Sequence, residues 1–459
     1  MLIAIAFALL YAIRWSPRTL DVAPGEAAES STLPPTGPIT IAAVGDLVLG
    51  HAITGSDTDA EFETIVQIVR DANVAIANLE MNLIGDDKTA AAARRNRGSR
   101  WTFGSAREAS ALKTLGFDVV GQANNHATDY GTDGMNDTNA ILIASGLIPA
   151  GFGQDLDEAR APVLVGSGTR KIAVLAVAIS GSSASMATRS RANSKGWPGI
   201  NVLRYVADVT VDAHTYETLR RSPAVPGQGP NGSDRLEVFG TTIRRGTATS
   251  VNLVPNADDI SDILAEVRRA RAIAEAVMVS VHSHEPSNES DEPAEFFKTF
   301  AQQAIDAGAA LVIGHGPHRL RGVEIYKGGA ILYSLGNFVY QPSEGHAPAN
   351  DPYDAGIDMY SLAMGVSGGG APIRFGPDNE EWWESAVAVA TLEAGVPRSL
   401  QIHPADLGVE TAGRRGLPRI PTPKRAAGIL EKLARLSERY GTAIRIENGV
   451  GVVQIGQER

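Results

Sequence analysis

The chain has 459 residues, enough for one large domain with appendages or for a large domain plus a small one. Hydrophobic residues make up 43% and charged residues 20%, a balance typical of globular proteins that argues against wholesale disorder. The formal net charge of −11 disfavours a protein that binds nucleic-acid phosphates, so we expect no nucleic-acid partner. Cysteine is absent from the sequence, which excludes disulfides, thiolate nucleophiles and cysteine-ligated zinc.

The N-terminal segment has the character of a targeting signal. Leu2 to Ile13 is almost wholly apolar, and a Pro/Gly/Ser/Thr-rich linker follows it and ends at Pro38. The apolar run is shorter than the ~20 residues of a membrane-spanning helix, and no basic residue precedes it as in a typical signal peptide. We expect residues 1–38 to be an export signal or anchor plus linker, which predicts an extracytoplasmic or membrane-anchored protein. The alternative is an apolar leader on a cytoplasmic enzyme.

After the linker, short apolar runs alternate with segments of helical spacing, as in α/β proteins. The elements predicted up to residue 179 are a strand at Ile39 to Val44, a helix at Ala60 to Asp71, a strand at Val74 to Ala77, a helix near Ala106 to Leu115, a strand at Phe117 to Gly121, a helix near Gly134 to Ser145 and a strand at Lys171 to Ile179. From about 180 to 256 the pattern loosens into Gly, Ser, Pro and short β-like pieces, which indicates an insertion or lid.

Regular alternation returns at residue 258 and predicts a β-sandwich or sheet layer flanked by helices. Residues 341–380 are rich in Gly and Pro, which is typical of a long surface excursion, and 342–459 is expected to be a C-terminal extension. The elements predicted after the insertion are a helix at Asp258 to Ala276, a strand at Val277 to Val281, a helix at Pro293 to Ala307, strands at Ala310 to Ile313, Gly322 to Tyr326 and Ala330 to Leu335, a hairpin of Ala386 to Leu392 with Leu400 to His403, and a helix at Ala426 to Tyr440.

Five segments share one feature: an apolar run stops at a loop that holds Asp, Glu, Asn or His. These segments are AAVGD ending at Asp46, IANLE ending at Glu80, QANNH with Asn124, Asn125 and His126, VSVHSHE with His282, His284 and Glu285, and LVIGHGPH with His315 and His318. Loops at the carboxyl ends of strands gather at one edge of an α/β sheet, so the five loops are expected to converge. Carboxylate, amide and imidazole ligands without thiolate suit a hydrolytic centre of two Mn, Fe or Zn ions.

Each segment also has a structural explanation that needs no metal. Asp46 could cap a turn, and Glu80 could be a surface carboxylate. The Asn-Asn-His segment could form a left-handed turn or a helix cap, because Asn tolerates positive φ. His282 and His284 alternate along a strand and share one face, a geometry found both in metal sites and in hydrogen-bonded polar cores. His315 and His318 on a Gly/Pro-rich turn have the weakest packing rationale.

The ordered set GDLVLG, ANLE, ANNHATDYG, VHSHE, GHGPH and YSLGNFVYQ resembles the CapA/PgsA capsule-synthesis proteins, which are associated with poly-γ-glutamate capsules. The resemblance spans roughly residues 39–341, apart from the loose region after residue 180. It implies the calcineurin-like metallophosphatase fold, a four-layer β-sandwich flanked by helices, and two divalent metal ions. By position, Asp46 and His318 would bind the first metal, Glu80 would bridge, and Asn125, His282 and His315 would bind the second. His126 would be the catalytic acid, with Asn124, His284 and Glu285 as accessory residues.

One departure from ordinary metallophosphatases concerns the first metal. Their first motif has a histidine two residues after the aspartate, and this chain has Val48 there, a lack that CapA-like proteins share. His51 is a candidate substitute ligand or a plain loop histidine. His214, His346 and His403 lie outside the motifs and are expected to be structural or surface residues.

The resemblance implies a metallophosphoesterase-like hydrolase that acts on an envelope polymer, its precursor or a small phosphoester. One alternative is a non-catalytic component of capsule synthesis or export, working with membrane proteins of that machinery. Another is a metal-assisted reaction other than phosphate hydrolysis, such as peptide-bond cleavage, because a fold does not fix the substrate.

Overall fold

A computed structural model describes residues 33–55, 57–85, 102–168, 170–179, 185–222, 234–238, 241–341, 380–408 and 416–456 of the chain. The apolar leader, nearly all of the excursion expected at 341–380 and His346 lie outside these ranges. Within the described ranges, no helix is long and apolar enough to cross a membrane.

In chain order, the strands are β1 Ile39–Val48, β2 Val74–Leu79, β3 Asn82–Leu83, β4 Phe103–Gly104, β5 Val119–Gly121, β6 Ile148–Ala150, β7 Phe152–Gly153, β8 Val163–Ser167, β9 Arg170–Ala178, β10 Gly199–Ile200, β11 Tyr205–Asp212, β12 Arg235–Val238, β13 Thr241–Gly246, β14 Ser250–Pro255, β15 Ala276–His282, β16 Leu311–His315, β17 Leu320–Tyr326, β18 Gly329–Leu335, β19 Asn337–Tyr340, β20 Glu384–Glu393, β21 Val396–Asp406, β22 Arg445–Glu447 and β23 Val450–Gln454. The helices are α1 Ala60–Arg70, α2 Ala106–Thr114, α3 Gly131–Ala144, α4 Leu156–Arg160, α5 Ala213–Arg221, α6 Ala257–Ile273, α7 Glu295–Asp306 and α8 Pro423–Glu438.

Two large sheets form the centre of the fold. The first has the order β22-β23-β21-β20-β1-β2-β5-β6, and β19 also pairs with β1. The second has the order β17-β18-β16-β15-β9-β8. The strands β1, β2, β5 and β6 are mutually parallel, as are β9, β15, β16 and β18.

Alternating side chains on the central strands show how the sheets stack. On β1, Ile39 and Ile41 enter the core that both sheets share, whereas Ala42 and Val44 pack into a second core with α1 and α2. The side chains of strand β9 alternate in the same way between the shared core and a third core with α6 and α7. Because strand side chains alternate between faces, the layers run helix, sheet, sheet, helix. The predicted α/β sandwich with helices on its outer faces is confirmed.

The helices follow local sequence signals. Helix α1 begins at the N-cap Asp59, whose carboxylate accepts from the Phe62 amide at 2.9 Å. Its buried residues recur at helical spacing, which turns one face toward the first sheet. Ser105 and Glu108 cap α2 reciprocally.

The predicted insertion contains more regular structure than expected. Its described residues include a separate sheet of order β12-β13-β11-β14 and helix α5, which the sequence pattern did not predict. Beyond the excursion, β20 and β21 form the expected hairpin, and β20 pairs antiparallel with β1. The C-terminal segment therefore completes the first sheet.

Candidate metal centre

The carboxyl ends of the central parallel strands bring the candidate ligands together. Asp46 lies near the end of β1, Glu80 follows β2, and His282 and His315 are the last residues of β15 and β16. The β1 register is irregular around Asp46, where the backbone amide donates to the Gly336 carbonyl at 3.1 Å as β1 begins to pair with β19. Such irregularities redirect side chains at functional sites.

Two buried groups of side chains could each hold a metal ion, and they share one carboxylate. One group is Glu80, His284 and His318, and the other is Asp46, Glu80 and His282. In each group the potential ligand atoms lie within 4.8 Å of one another. The expectation that Glu80 bridges two metals fits this shared position and stays a prediction.

Glu80 lies at the centre of the cluster. Its Oε1 is 3.6 Å from Nε2 of His282, 3.6 Å from Nε2 of His284 and 3.7 Å from Nε2 of His318. The Nε2 atoms of His282 and His284 are themselves 3.1 Å apart. Three imidazoles therefore turn the same nitrogen toward one carboxylate oxygen.

Asp46 links the cluster to both sheets. Its Oδ1 accepts from Nδ2 of Asn78 at 2.8 Å, and its Oδ2 accepts from the Gly316 amide at 3.0 Å. Nδ1 of His315 lies 3.8 Å from Asp46 Oδ1. Since Asn78 Nδ2 also lies 3.2 Å from Nδ1 of His282, one amide contacts both a carboxylate and an imidazole of the cluster.

Several buried polar atoms of the candidate ligands have no hydrogen-bond partner within the described part of the chain. They are both carboxylate oxygens of Glu80, both amide atoms of Asn125 and both ring nitrogens of His315. A buried polar group without a partner costs roughly 1–3 kcal/mol, and more if it is charged. All three residues are of types that ligate metals, so the donor set fits one or more bound cations.

Burial shapes the pKa values of the cluster. It raises the pKa of Asp46, and the nearby Glu80 carboxylate adds to the increase. Burial lowers the pKa of His315 to about 3 and, together with neighbouring imidazoles, holds the pKa of His282 well below its usual value. For His284, burial disfavours the cation, but the interaction with Glu80 outweighs it and raises the pKa to about 9. Neutral imidazole is the form that binds metal ions. A bound metal cation would offset the repulsion between the Asp46 and Glu80 carboxylates.

His126 is held differently from the histidines around Glu80. Its Nδ1 lies 2.7 Å from Oδ2 of Asp129, and its backbone amide donates to Oδ1 of Asn124 at 3.1 Å. Asn124 in turn donates to Oδ1 of Asn78 at 3.2 Å and to the Leu79 carbonyl at 2.7 Å. Asn124 thus ties the loop of His126 to the strand that precedes Glu80.

The remaining candidate residues lie at the rim or away from the cluster. Glu285 accepts from Ser283 Oγ at 2.8 Å and from Tyr205 Oη at 2.7 Å. His51 is largely exposed and lies 3.7 Å from Asp57, in neither of the two groups. His214 lies on α5 and His403 on β21, both outside the cluster.

A cavity of about 690 Å³ lies on the insertion side of Tyr205. Most of its lining is apolar, including Val206 and Val254, and Arg204 contributes a charge. None of the candidate metal ligands lines it, but two lining residues bond to residues of the site: Tyr205 donates to Glu285, and the Ile179 amide donates to the His282 carbonyl at 2.8 Å.

Other residues of the site were not predicted from the sequence. A polar residue inside a largely apolar motif was the available signal for Asn78 in IANLE and for Asn337 in YSLGNF. Asp129 lies in ANNHATDYG, three residues after His126, and that proximity was its signal. Asn288, whose Oδ1 is 2.7 Å from Nδ1 of His284, lies in a loop without such a signal. Trp382, which stacks on His318, lies far along the chain from every motif.

The family model described as "Bacterial capsule synthesis protein PGA_cap" matches residues 40–342, more than half of the chain. The chain belongs to this family. An uncharacterized protein of Sinorhizobium fredii, y4uA, is 36% identical to this PGA_cap protein over 91% of this chain and 93% of its own length. The capsule biosynthesis protein CapA of Bacillus anthracis is 24% identical over 72% of this chain and 66% of its own.

Among solved structures, the Haemophilus influenzae NAD nucleotidase NadN is 11% identical to this PGA_cap protein. The alignment covers 86% of this chain and 56% of NadN. The TM-score is 0.31, which is too low to bear on fold or function.

Proposed function

We propose that this PGA_cap protein is a metal-dependent hydrolase that cleaves a phosphoester-type bond in a cell-envelope or capsule polymer or in its precursor. Membership of a capsule-synthesis family supports the substrate class. The apolar leader supports action outside the cytoplasm or at the membrane, which stays a prediction.

One observation carries the metal-dependent part of the proposal. Glu80, Asn125 and His315 are buried with side-chain atoms that lack hydrogen-bond partners among the described residues, and Glu80 belongs to both groups of potential metal ligands. Without a ligand this arrangement is costly, because unpaired buried polar groups lose their hydration. Bound cations would satisfy these atoms, and Mn, Fe or Zn suits imidazole, carboxylate and amide donors.

Bound divalent ions would supply Lewis-acid polarisation of a phosphoryl oxygen. The chain itself supplies a candidate proton donor. Asp129 can only accept when ionised, so the hydrogen on His126 lies at Nδ1 when the ring is neutral. When the ring is protonated, Nε2 can transfer a proton to a leaving oxygen, and Asp129 keeps the ring oriented. General acid catalysis of this kind contributes about 10²–10⁴-fold in rate.

The test combines metal analysis with a substrate screen. We expect metal-replete expression to yield one or two transition-metal equivalents per chain, and turnover of a phosphomonoester or phosphodiester that chelation abolishes. The His282→Ala, His315→Ala double variant should lose metal. His403→Ala, a histidine change on β21, is the matched control and should keep it. A wild-type chain without bound transition metal overturns the proposal.

A non-catalytic role in capsule synthesis is the second candidate. The name of the Bacillus anthracis relative places that protein in capsule biosynthesis without naming a reaction. In this role the metal centre would bind carboxylates of an acidic polymer. Full metal occupancy, binding of polyglutamate and no turnover of any phosphoester would favour it over the hydrolase.

A further inference from the structure

His318 is held by residues outside the predicted ligand set. It follows β16 in a left-handed backbone conformation, with φ of 55°, and its side chain is buried. Its Nδ1 is 2.8 Å from Oδ1 of Asn337, and its ring lies against the indole of Trp382. Neither side chain belongs to the predicted ligand set, and both contact this imidazole; the backbone of Asn337 also pairs with Asp46.

The hydrogen bonds of Asn337 determine which nitrogen of His318 carries the proton. Nδ2 of Asn337 donates to the backbone carbonyl of Trp382 at 3.1 Å. A carbonyl only accepts, so the amide group must face it, and the Asn337 oxygen must face His318. The imidazole therefore carries hydrogen at Nδ1, and the Nε2 lone pair is on the side of Glu80, 3.7 Å from Oε1. Partners of this kind fix the tautomer of metal-binding histidines.

Trp382 also restrains the ring by direct packing. The ring centroids of Trp382 and His318 are 4.4 Å apart with an interplanar angle of 35°. Trp382 is 3% exposed and lies in the 3₁₀ turn Glu380–Trp383, which leads directly into β20. Because β20 pairs with β1, the strand of Asp46, the indole is fixed to the same sheet as the cluster.

We propose that Trp382 and Asn337 are positioning residues of the metal centre, which hold His318 in the tautomer and orientation that present Nε2 to a metal ion. The proposal rests on the metal-dependent part of the proposed function. It also extends the centre beyond residues 40–342, since Trp382 lies outside the segment that the family model matches.

The adjacent tryptophan offers a matched control. Trp383 is also almost fully buried, but its ring packs edge-on against Tyr340, 5.9 Å away. Trp383→Leu therefore removes a buried indole of the same size from the same turn, and its effect on His318 is indirect, through Tyr340, whose ring centroid lies 6.0 Å from that of the imidazole. Trp382→Phe keeps an aromatic ring over the imidazole, and Trp382→Leu removes it. Asn337→Leu removes the oxygen that fixes the tautomer.

The experiment titrates metal-depleted full-length chains with Co²⁺, following visible absorption for coordination and a competing chelator for affinity. Loss of outer partners of a ligating histidine typically weakens metal binding about 10–100-fold. We expect Trp382→Leu and Asn337→Leu to lose Co²⁺ affinity in this range. Their Co²⁺ absorption spectra should shift toward the spectrum of the His318→Ala variant. The Co²⁺ affinities of Trp382→Phe and Trp383→Leu should stay within about threefold of the wild-type value. Both Trp383→Leu and Trp382→Leu should lower the unfolding temperature of the metal-free chain.

Equal loss of affinity in Trp383→Leu and Trp382→Leu overturns the proposal, because general loss of packing would then explain both. Wild-type affinity in Trp382→Leu and Asn337→Leu overturns it as well. A wild-type chain that binds no Co²⁺ overturns this proposal together with the metal-dependent function. If wild type binds Co²⁺ tightly, the variants weaken as expected and no phosphoester is cleaved, the positioning role holds and the hydrolase function fails.

Discussion

The carboxylate of Asp259 ties the base of the insertion to the sandwich, and its removal should destabilise the fold in a pH-dependent way. Asp259 lies in the first turn of α6 with its side chain 3% exposed. It accepts from Arg160 at 2.7 Å, from two guanidinium nitrogens of Arg204 at 2.6 and 2.9 Å, and from the Arg204 backbone amide at 3.1 Å. The change Asp259→Asn keeps the shape and removes the charge that both guanidinium groups face.

Breaking a buried ion pair by removing one partner typically costs 3–5 kcal/mol. The Arg204 side chain is 49% exposed, so water screens its charge, and we expect a cost at the lower end of this range, about 3 kcal/mol at pH 7. Burial alone would raise the pKa of Asp259, but its bonds from Arg204 outweigh burial and lower it. A lowered carboxyl pKa stabilises the fold above the unfolded value, roughly 3.9, and the benefit is lost as pH falls through the folded pKa.

Urea unfolding at several pH values measures the difference in free energy of unfolding between Asp259→Asn and wild type. The difference should be constant from pH 7 to about 5 and shrink below about pH 4. Asp262→Asn is the control, because Asp262 also contacts Arg160 but its side chain is 44% exposed, so we expect at most about 1 kcal/mol. A penalty for Asp259→Asn that persists unchanged at the lowest pH would refute the reasoning.

Three further predictions concern the site and its location. His126→Asn should keep the bound metal and lower turnover of a poor-leaving-group phosphoester by about 10²–10⁴-fold, with a smaller loss for p-nitrophenyl phosphate; loss of metal in this variant would make His126 a ligand. Gly45→Ala should abolish metal binding or soluble expression, because its Cβ would lie 1.8 Å from the Gly336 carbonyl oxygen; wild-type metal content would contradict this. A C-terminal reporter that requires an extracytoplasmic environment should be active on the full chain and inactive on a chain that starts at Pro38, and equal activity would argue against export.

The regular elements were predictable because they are buried on both faces or amphipathic. Strand β9 is almost continuously apolar, and α7 buries Phe296, Phe297 and Phe300 along one face. Helix α5 was missed because its sequence, AHTYETLRR, is largely polar and buries only Tyr216. Its N-cap Asp212, which accepts from the amides of His214 and Thr215, was the available local signal.

The convergence of the ligand loops was predictable from their positions at strand ends. The side-chain contacts within the centre were not predictable from the sequence. Which imidazole faces Glu80 depends on partners such as Asn288 for His284 and Asn337 for His318, and these contacts appear only in three dimensions. Trp382 shows the limit most clearly, because nothing in EEWW connects it to a histidine far earlier in the chain. The assignment of individual ligands to individual metals stays a prediction.

The place of β20 in the first sheet has a consequence for biosynthesis. Ile39, at the start of the fold, pairs with Leu392, near its end. While the ribosome is still making the middle of the protein, the strand that carries Asp46 has an open edge where β20 will later dock. We therefore expect the nascent chain to remain unfinished, and unable to load metal, until its last segments emerge. In an exported chain, the cations would then be acquired on the far side of the membrane, from the ions available in that compartment.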